Sequence, residues 1–202
     1  MNRNKITEKQ NPISENIDEQ SILGILNIIN LEDAKVSIAI KNSLFEIERF
    51  IESLIDRFKK GGRLFYIGSG TSGRLGILDA AECPPTFRTN PDMIQGIIAG
   101  GYNALVCSIE GAEDFPEAGA DAIIKNSINQ KDVVLGITAS SSTPFVLGAL
   151  EKAKELQSLT GLLICNASPD LTFIDHLISI IVGPEIIAGS TRMKAGTATK
   201  MV

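Results

Sequence analysis

The sequence predicts a three-layer α/β/α sandwich with a five-stranded parallel sheet, preceded by an N-terminal arm and helices. After Gly62, short apolar runs recur at about 63–68, 94–99, 133–138, 161–165 and 178–182. Most are separated by segments of helix length, at 72–82, 103–112, 115–128 and 144–158. Continuous apolar strands that alternate with helices are typical of a parallel sheet covered on both faces. Ligands of such a sheet are expected at the carboxyl ends of its strands.

Residues 1–60 are predicted to form an arm and helices, and residues 61–202 the α/β domain. The arm is polar to about residue 20, and Asn11-Pro12 indicates a turn. Apolar residues at helical spacing predict one helix from Ser21 and a second from Leu31 to Lys60. Gly61-Gly62 is a typical helix end. A last helix is predicted to open at 189–194 and stops after barely two turns, which suggests a piece of a longer protein.

Composition excludes several classes of function. A net charge of −5 with scattered Lys and Arg gives no basic patch for nucleic acid or a membrane surface, and no run is long enough to span a bilayer. The 3 cysteines fit neither a disulfide framework nor a zinc site, and there is 1 histidine. We therefore expect a cytoplasmic protein that uses no metal and no other cofactor.

Two hydroxyl-rich loops follow two of the predicted strands. The first holds Ser69, Thr71 and Ser72 after the strand at 63–68. The second holds Ser140, Ser142 and Thr143 after the strand at 133–138. Either loop alone fits an ordinary helix cap equally well. Two such loops at the carboxyl ends of one sheet favour a phosphate site, because helix N-termini present free N–H donors and a positive dipole end.

Three glutamates are candidates for chemistry. Glu82 precedes Cys83-Pro84-Pro85 near a predicted helix end, where an acid is mildly unfavourable, although a solvated glutamate is the ordinary interpretation. Glu113 lies in an acidic cluster whose ordinary role is to open the next helix. Glu185 follows the last predicted strand, again at a carboxyl end.

Several motifs together resemble the sugar-isomerase (SIS) phosphosugar-binding domain family and, within it, the bacterial N-acetylmuramic acid 6-phosphate etherases. These motifs span nearly the whole chain, and ECPPTF with EGAED is more specific than any glycine-rich loop. They include Thr7-Glu8, Asn11-Pro12 and Glu32-Asp33, followed by YIGSGTSGRLGILDAAECPPTF, QGIIAGG, EGAED and GPEIIAGSTRMKAGTATK. The family continues beyond the last residue of this chain.

The resemblance implies a lyase that cleaves the D-lactyl ether of N-acetylmuramic acid 6-phosphate, giving N-acetylglucosamine 6-phosphate and D-lactate. Glu82 and Glu113 match the catalytic glutamates of the family. Wider SIS proteins hold phosphate at the positions of Ser72, Ser140, Ser142 and Thr143, and some keep a base at that of Glu185. The partner expected is a small sugar phosphate. A non-catalytic phosphosugar regulator is the alternative, and an aldose–ketose isomerase is a third possibility that does not call for ECPPTF and EGAED.

The chain departs from the family pattern at four positions. Ser141 and Ser142 replace a glycine and an arginine, Arg88 replaces a glycine, and Gln10 replaces an arginine. These changes affect expected affinity more than reaction class.

One geometric consequence follows from the helix that carries Glu82. A straight helix puts Glu82 about 15 Å from Ser72, at 1.5 Å per residue. Either the helix bends or breaks before Cys83, or Glu82 completes a site across a dimer. We predict a homodimer with such shared sites.

Overall fold

A computed structural model describes residues 5–167 and 171–202. Its sheet has five parallel strands in the order β2-β1-β3-β4-β5. The strands are β1 (Leu64–Gly68), β2 (Ile94–Ile98), β3 (Val133–Ile137), β4 (Leu159–Ile164) and β5 (His176–Ser179). The predicted three-layer architecture with a five-stranded parallel sheet is confirmed, and each strand overlaps its predicted range.

Seven α-helices occur in the described part of the chain. They are α1 (Ile22–Lys41), α2 (Leu44–Lys59), α3 (Gly70–Phe87), α4 (Asn103–Val106), α5 (Pro116–Lys125), α6 (Pro144–Glu155) and α7 (Lys194–Met201). The arm before α1 contains 3₁₀ turns at Ile6–Glu8, Pro12–Ser14 and Ile17–Glu19 rather than a simple extended segment. Its residues 1–4 lie outside the described residues. None of the described helices is long and apolar enough to cross a membrane.

Two hydrophobic cores lie on the two faces of the sheet. On one face, strand residues such as Leu135 and Ile178 pack with Val36 of α1, Phe50 of α2 and Ala198 of α7. On the other face, Phe65 and Leu162 belong to a core with residues of α5 and α6, among them Ile123, Val146 and Leu150. The alternation follows from the strand, in which successive side chains point to opposite faces. The N-terminal helices therefore share a core with the sheet.

The break between the first two helices was predicted near residue 30 and lies instead at Asn42-Ser43. No glycine or proline interrupts the chain near Leu31, so α1 continues to Lys41. The Ser43 hydroxyl donates to the carbonyl of Ser179 at 2.9 Å, which fixes the turn against β5. A tertiary contact therefore sets this boundary.

Two predicted helix boundaries near the candidate site also differ. The segment predicted as a helix at 103–112 is helical only over Asn103–Val106, and a loop follows it. The helix predicted at 72–82 extends from Gly70 to Phe87 and includes Pro84 and Pro85. Its C-cap is Arg88, whose N–H still donates to the carbonyl of Pro84 and whose left-handed φ of 56° turns the following chain out of the helix. Of the two alternatives given for Glu82, a break in α3 before Cys83 does not occur, and the homodimer stays a prediction.

Candidate functional site

The first hydroxyl-rich loop joins β1 to α3 at the carboxyl edge of the sheet. Ser69 is the N-cap residue of α3, and Gly70 takes a left-handed φ of 51°. Gly68 is required because a Cβ there would lie 2.6 Å from the backbone nitrogen of Gly73. The loop therefore turns tightly and leaves the hydroxyls of Ser69, Thr71 and Ser72 around the start of the helix, where a phosphate is favoured.

The second hydroxyl-rich loop joins β3 to α6. It begins beside the first loop, because Gly68 of β1 pairs with Ile137 of β3. The hydroxyl oxygens of Thr138 and Thr143 are 2.7 Å apart, and Ser140 lies 3.4 Å from Thr138. Ser141 takes a left-handed φ of 66°, a backbone conformation that glycine adopts more easily than serine. The structure thus brings the two predicted phosphate loops together.

Glu113 connects the two loops. Its carboxylate oxygen Oε2 accepts a hydrogen bond from the Ser69 hydroxyl at 2.8 Å. Its backbone carbonyl accepts from the N–H of Phe145, in the first turn of α6, at 3.0 Å. The ordinary interpretation, a cap that opens the next helix, does not describe Glu113, because the N-cap of α5 is Phe115. Its side chain lies beside the first hydroxyl-rich loop.

Arg74 supports the segment that leads to Glu113. Its Nε donates to the carbonyl of Leu105 at 3.0 Å, and its Nη2 donates to that of Cys107 at 3.3 Å. These carbonyls lie at the end of α4, just before the loop that carries Glu113. The Arg74 guanidinium therefore binds backbone carbonyls in this structure.

The N-terminal arm lies on the second loop, which sequence reasoning missed. The Lys5 ammonium donates to the Ser142 hydroxyl. The Ile6 N–H donates to Asn166 Oδ1 at 2.7 Å, and Asn166 Nδ2 donates to the Thr7 hydroxyl at 2.7 Å. Asn166 also donates to the carbonyl of Ala139, at 3.3 Å. Thr7 belongs to a motif noted above, but the sequence does not show what that motif contacts.

Glu185 caps a helix in this structure. Its two carboxylate oxygens accept the backbone N–H groups of Lys194 and Ala195, each at 2.9 Å, and the residue has no exposed surface. Burial raises the pKa of Glu185, although the two N–H donors oppose that rise. The cap explains why α7 begins at Lys194, the last residue of the predicted opening at 189–194. A substrate contact through Glu185 remains a prediction.

A buried ion pair joins α1, α7 and the arm. Lys194 Nζ lies 2.5 Å from Glu32 Oε2, and both side chains are almost fully buried. Asn11 Nδ2 donates to the same Glu32 oxygen at 3.0 Å and to the carbonyl of Pro184 at 3.1 Å. Burial alone raises the pKa of Glu32, but the donors Lys194, Lys35 and Asn11 outweigh it and lower the pKa to about 2.

Glu82 lies apart from the two hydroxyl-rich loops, in the continuous part of α3. Its exposed side chain borders a cleft of about 350 Å³ between α2, α3, α7 and the sheet. Within this cleft the Tyr66 hydroxyl donates to Asp79 Oδ2 at 2.8 Å. Burial and the neighbouring Asp79 raise the pKa of Tyr66. None of the predicted phosphate-binding residues lines the cleft.

Comparison with known proteins decides the family. Residues 46–154, more than half of the chain, match the sequence model described as the glucokinase regulatory protein N-terminal SIS domain. The chain belongs to this SIS-domain family. The match includes both hydroxyl-rich loops, Glu82 and Glu113.

Curated relatives extend the likeness over nearly the whole chain. The N-acetylmuramic acid 6-phosphate etherase of Trichormus variabilis is 50% identical over 197 residues, which is 97% of this chain and 64% of that protein. The protein of the same name from Aliivibrio fischeri is 48% identical over 198 residues, 98% of this chain and 66% of the relative. The chain thus spans a little under two thirds of these relatives.

Solved structures show the same fold at low identity. A phosphoheptose isomerase from Francisella tularensis superposes with a TM-score of 0.67 at 16% identity, covering 89% of this chain and 93% of that one. The NanR protein of Vibrio vulnificus, complexed with ManNAc-6P, gives 0.57 at 13% identity, covering 92% of this chain and 61% of that one.

Proposed function

We propose that this SIS-family chain carries the chemistry of a lyase that cleaves the D-lactyl ether of N-acetylmuramic acid 6-phosphate. The products are N-acetylglucosamine 6-phosphate and D-lactate. The observation that carries the proposal is the hydrogen bond between Ser69 and Glu113, which sets a carboxylate beside two hydroxyl-rich loops. The names of relatives at about half identity support the same reaction.

The reaction needs acid–base groups. Opening of the sugar ring exposes an aldehyde at C1, which acidifies the proton on C2. One carboxylate takes that proton, the C3–O bond breaks, and the lactate oxygen leaves with a proton. Water then adds its hydroxyl to C3 and a proton to C2. Positioned carboxylates raise the rate of such steps by roughly two to four orders of magnitude each. Glu82 and Glu113 are the proposed pair.

The phosphate of the substrate is proposed to bind between the two loops. The loops offer the hydroxyls of Thr71, Ser72, Ser140, Ser142 and Thr143. The Ser69 hydroxyl donates to Glu113, so Ser69 is proposed to bind the phosphate only when that hydrogen bond is exchanged. Both loops also open helices, so backbone N–H groups and two positive dipole ends face the same region. A sugar held there by its phosphate has its ring near Glu113.

Glu82 is proposed to act in the site of a second copy of the chain. The α3 helix is continuous through Glu82, so about 15 Å of helix separates it from Ser72. A C2 atom lies well short of that distance from the phosphate of its own sugar. A symmetric homodimer in which α3 of one copy approaches the loops of the other supplies both carboxylates.

The first test measures D-lactate release from N-acetylmuramic acid 6-phosphate. We expect Glu82→Gln and Glu113→Gln each to abolish release, and Glu110→Gln, an exposed neighbour, to leave it unchanged. Release that persists in both glutamine variants would contradict the acid–base assignment. If the unaltered chain binds the sugar phosphate but releases no D-lactate, the alternative of a non-catalytic phosphosugar regulator is favoured. The matching family model is named after such a regulatory protein.

Mixing the two inactive variants tests the shared site. In a mixed dimer one site keeps both glutamates, so co-refolding equal amounts restores up to about a quarter of the original activity. No recovery, with mixed dimers demonstrated by native mass spectrometry, would place both glutamates in one subunit's site.

A further inference from the structure

The N-terminal strap, residues 5–14, crosses the carboxyl edge of the sheet and is held there by hydrogen bonds. Asn166 binds its first residues, at Ile6 and Thr7. Asn11 binds the carbonyl of Pro184, and the Ser14 hydroxyl donates to the carbonyl of Ile186 at 2.6 Å. Thr7 is completely buried, so the strap is a packed part of the fold.

The strap places the ammonium group of Lys5 beside the second hydroxyl-rich loop. Lys5 donates to Ser142, and an ammonium group has three donors, so two stay available. Within residues 5–167 and 171–202, no carboxylate forms an ion pair with Lys5. In the same described ranges, Lys5 is the one cation hydrogen-bonded to a side chain of either hydroxyl-rich loop.

Two other cations, Arg74 and Lys194, are bound to other groups of the chain. The Arg74 guanidinium binds the carbonyls of Leu105 and Cys107, and the Lys194 ammonium is buried against Glu32. The site also contains the carboxylate of Glu113 beside Ser69. A phosphate dianion entering this region meets a negative side chain, and a neighbouring cation offsets that repulsion.

Asn166 fixes where the cation lies. Its side-chain oxygen accepts from Ile6, and its NH₂ group donates to Thr7 and to the carbonyl of Ala139 in the second loop. One buried amide thus binds both the strap and the loop. The backbone next to Lys5 is therefore held at a set distance from Ser140 and Ser142.

We propose that Lys5 binds the phosphate group of the substrate, together with the hydroxyls of the second loop. The proposal rests on the phosphosugar site proposed above and adds a residue from outside both loops. Lys5 would also supply the positive charge that is missing at Ser142, where the family pattern has an arginine. Lys5 is a binding residue and takes no part in proton transfer.

Calorimetric titration of the full chain with N-acetylglucosamine 6-phosphate tests this. We expect Lys5→Gln to raise Kd about tenfold, since a charge-assisted hydrogen bond is lost. Lys5→Arg keeps the charge and is expected to stay within about threefold of the original Kd. Lys9→Gln removes an exposed charge from the same strap and is expected to leave Kd unchanged. The salt dependence of Kd is expected to weaken in Lys5→Gln and not in Lys9→Gln.

The outcomes separate this proposal from the reaction. Equal Kd values for the original chain and Lys5→Gln would overturn the role of Lys5. A tenfold higher Kd in Lys5→Gln would also overturn it if the Tm fell and Lys5→Arg did not restore the original Kd. That pattern would indicate that the strap had detached from the fold. No binding by the original chain would overturn both proposals. Binding that depends on Lys5 without D-lactate release would support the cation site and overturn the lyase.

Discussion

Replacing Glu32 by glutamine tests how much the buried ion pair stabilises the fold. The lowered pKa of Glu32, about 2 against an ordinary 4.5, means that the folded state favours the ionised carboxylate. That difference corresponds to roughly 3 kcal/mol of unfolding free energy at neutral pH. Glu32→Gln keeps the shape but leaves the Lys194 ammonium buried beside a neutral amide. We therefore expect the variant to be about 3 kcal/mol less stable at pH 7.

The pH dependence carries the stronger test. Because the folded-state pKa is below the unfolded one, the stabilisation is complete above pH 4.5 and is lost as pH falls towards 2. Urea unfolding at a series of pH values therefore shows the original chain and Glu32→Gln converging in stability at low pH. Glu48→Gln, an exposed glutamate of α2, serves as the control and is expected to track the original chain throughout. A constant difference between the original chain and Glu32→Gln from pH 7 down to pH values near the folded pKa would refute the reasoning.

Two further stability predictions follow from the backbone. Arg88→Gly and Ser141→Gly each remove the strain of a side chain at a left-handed φ, and each is expected to raise the free energy of unfolding by about 1 kcal/mol. An unchanged urea midpoint would show that the residue is not strained. Gly148→Ala puts a Cβ 2.2 Å from the carbonyl oxygen of Pro116, so α5 and α6 must separate at a cost of about 3 kcal/mol. Gly24→Ala meets only side-chain atoms at 3.3 Å or more, so it is the matched control, and equal losses in the two alanine variants would refute the close contact.

The rhythm of apolar runs and helical segments was enough to predict the parallel sheet, because a strand covered on both faces must be apolar throughout. It predicted helix boundaries less well. The break at Ser43 depends on a carbonyl of β5, and the start of α7 depends on the carboxylate of Glu185. Ser179 and Glu185 both lie outside the helices whose ends they fix, so no local sequence pattern predicts these helix ends.

The sequence by itself determined the chemistry that is available: two hydroxyl-rich loops after two strands, three candidate glutamates, and no histidine or cysteine cluster. Tertiary structure decided how these groups combine. It brought Glu113 to Ser69, left Glu82 on a distant cleft, and carried Lys5 onto Ser142. The physical reason is that strand pairing and helix packing set distances between residues far apart in the chain, whereas sequence patterns report only on neighbours along it.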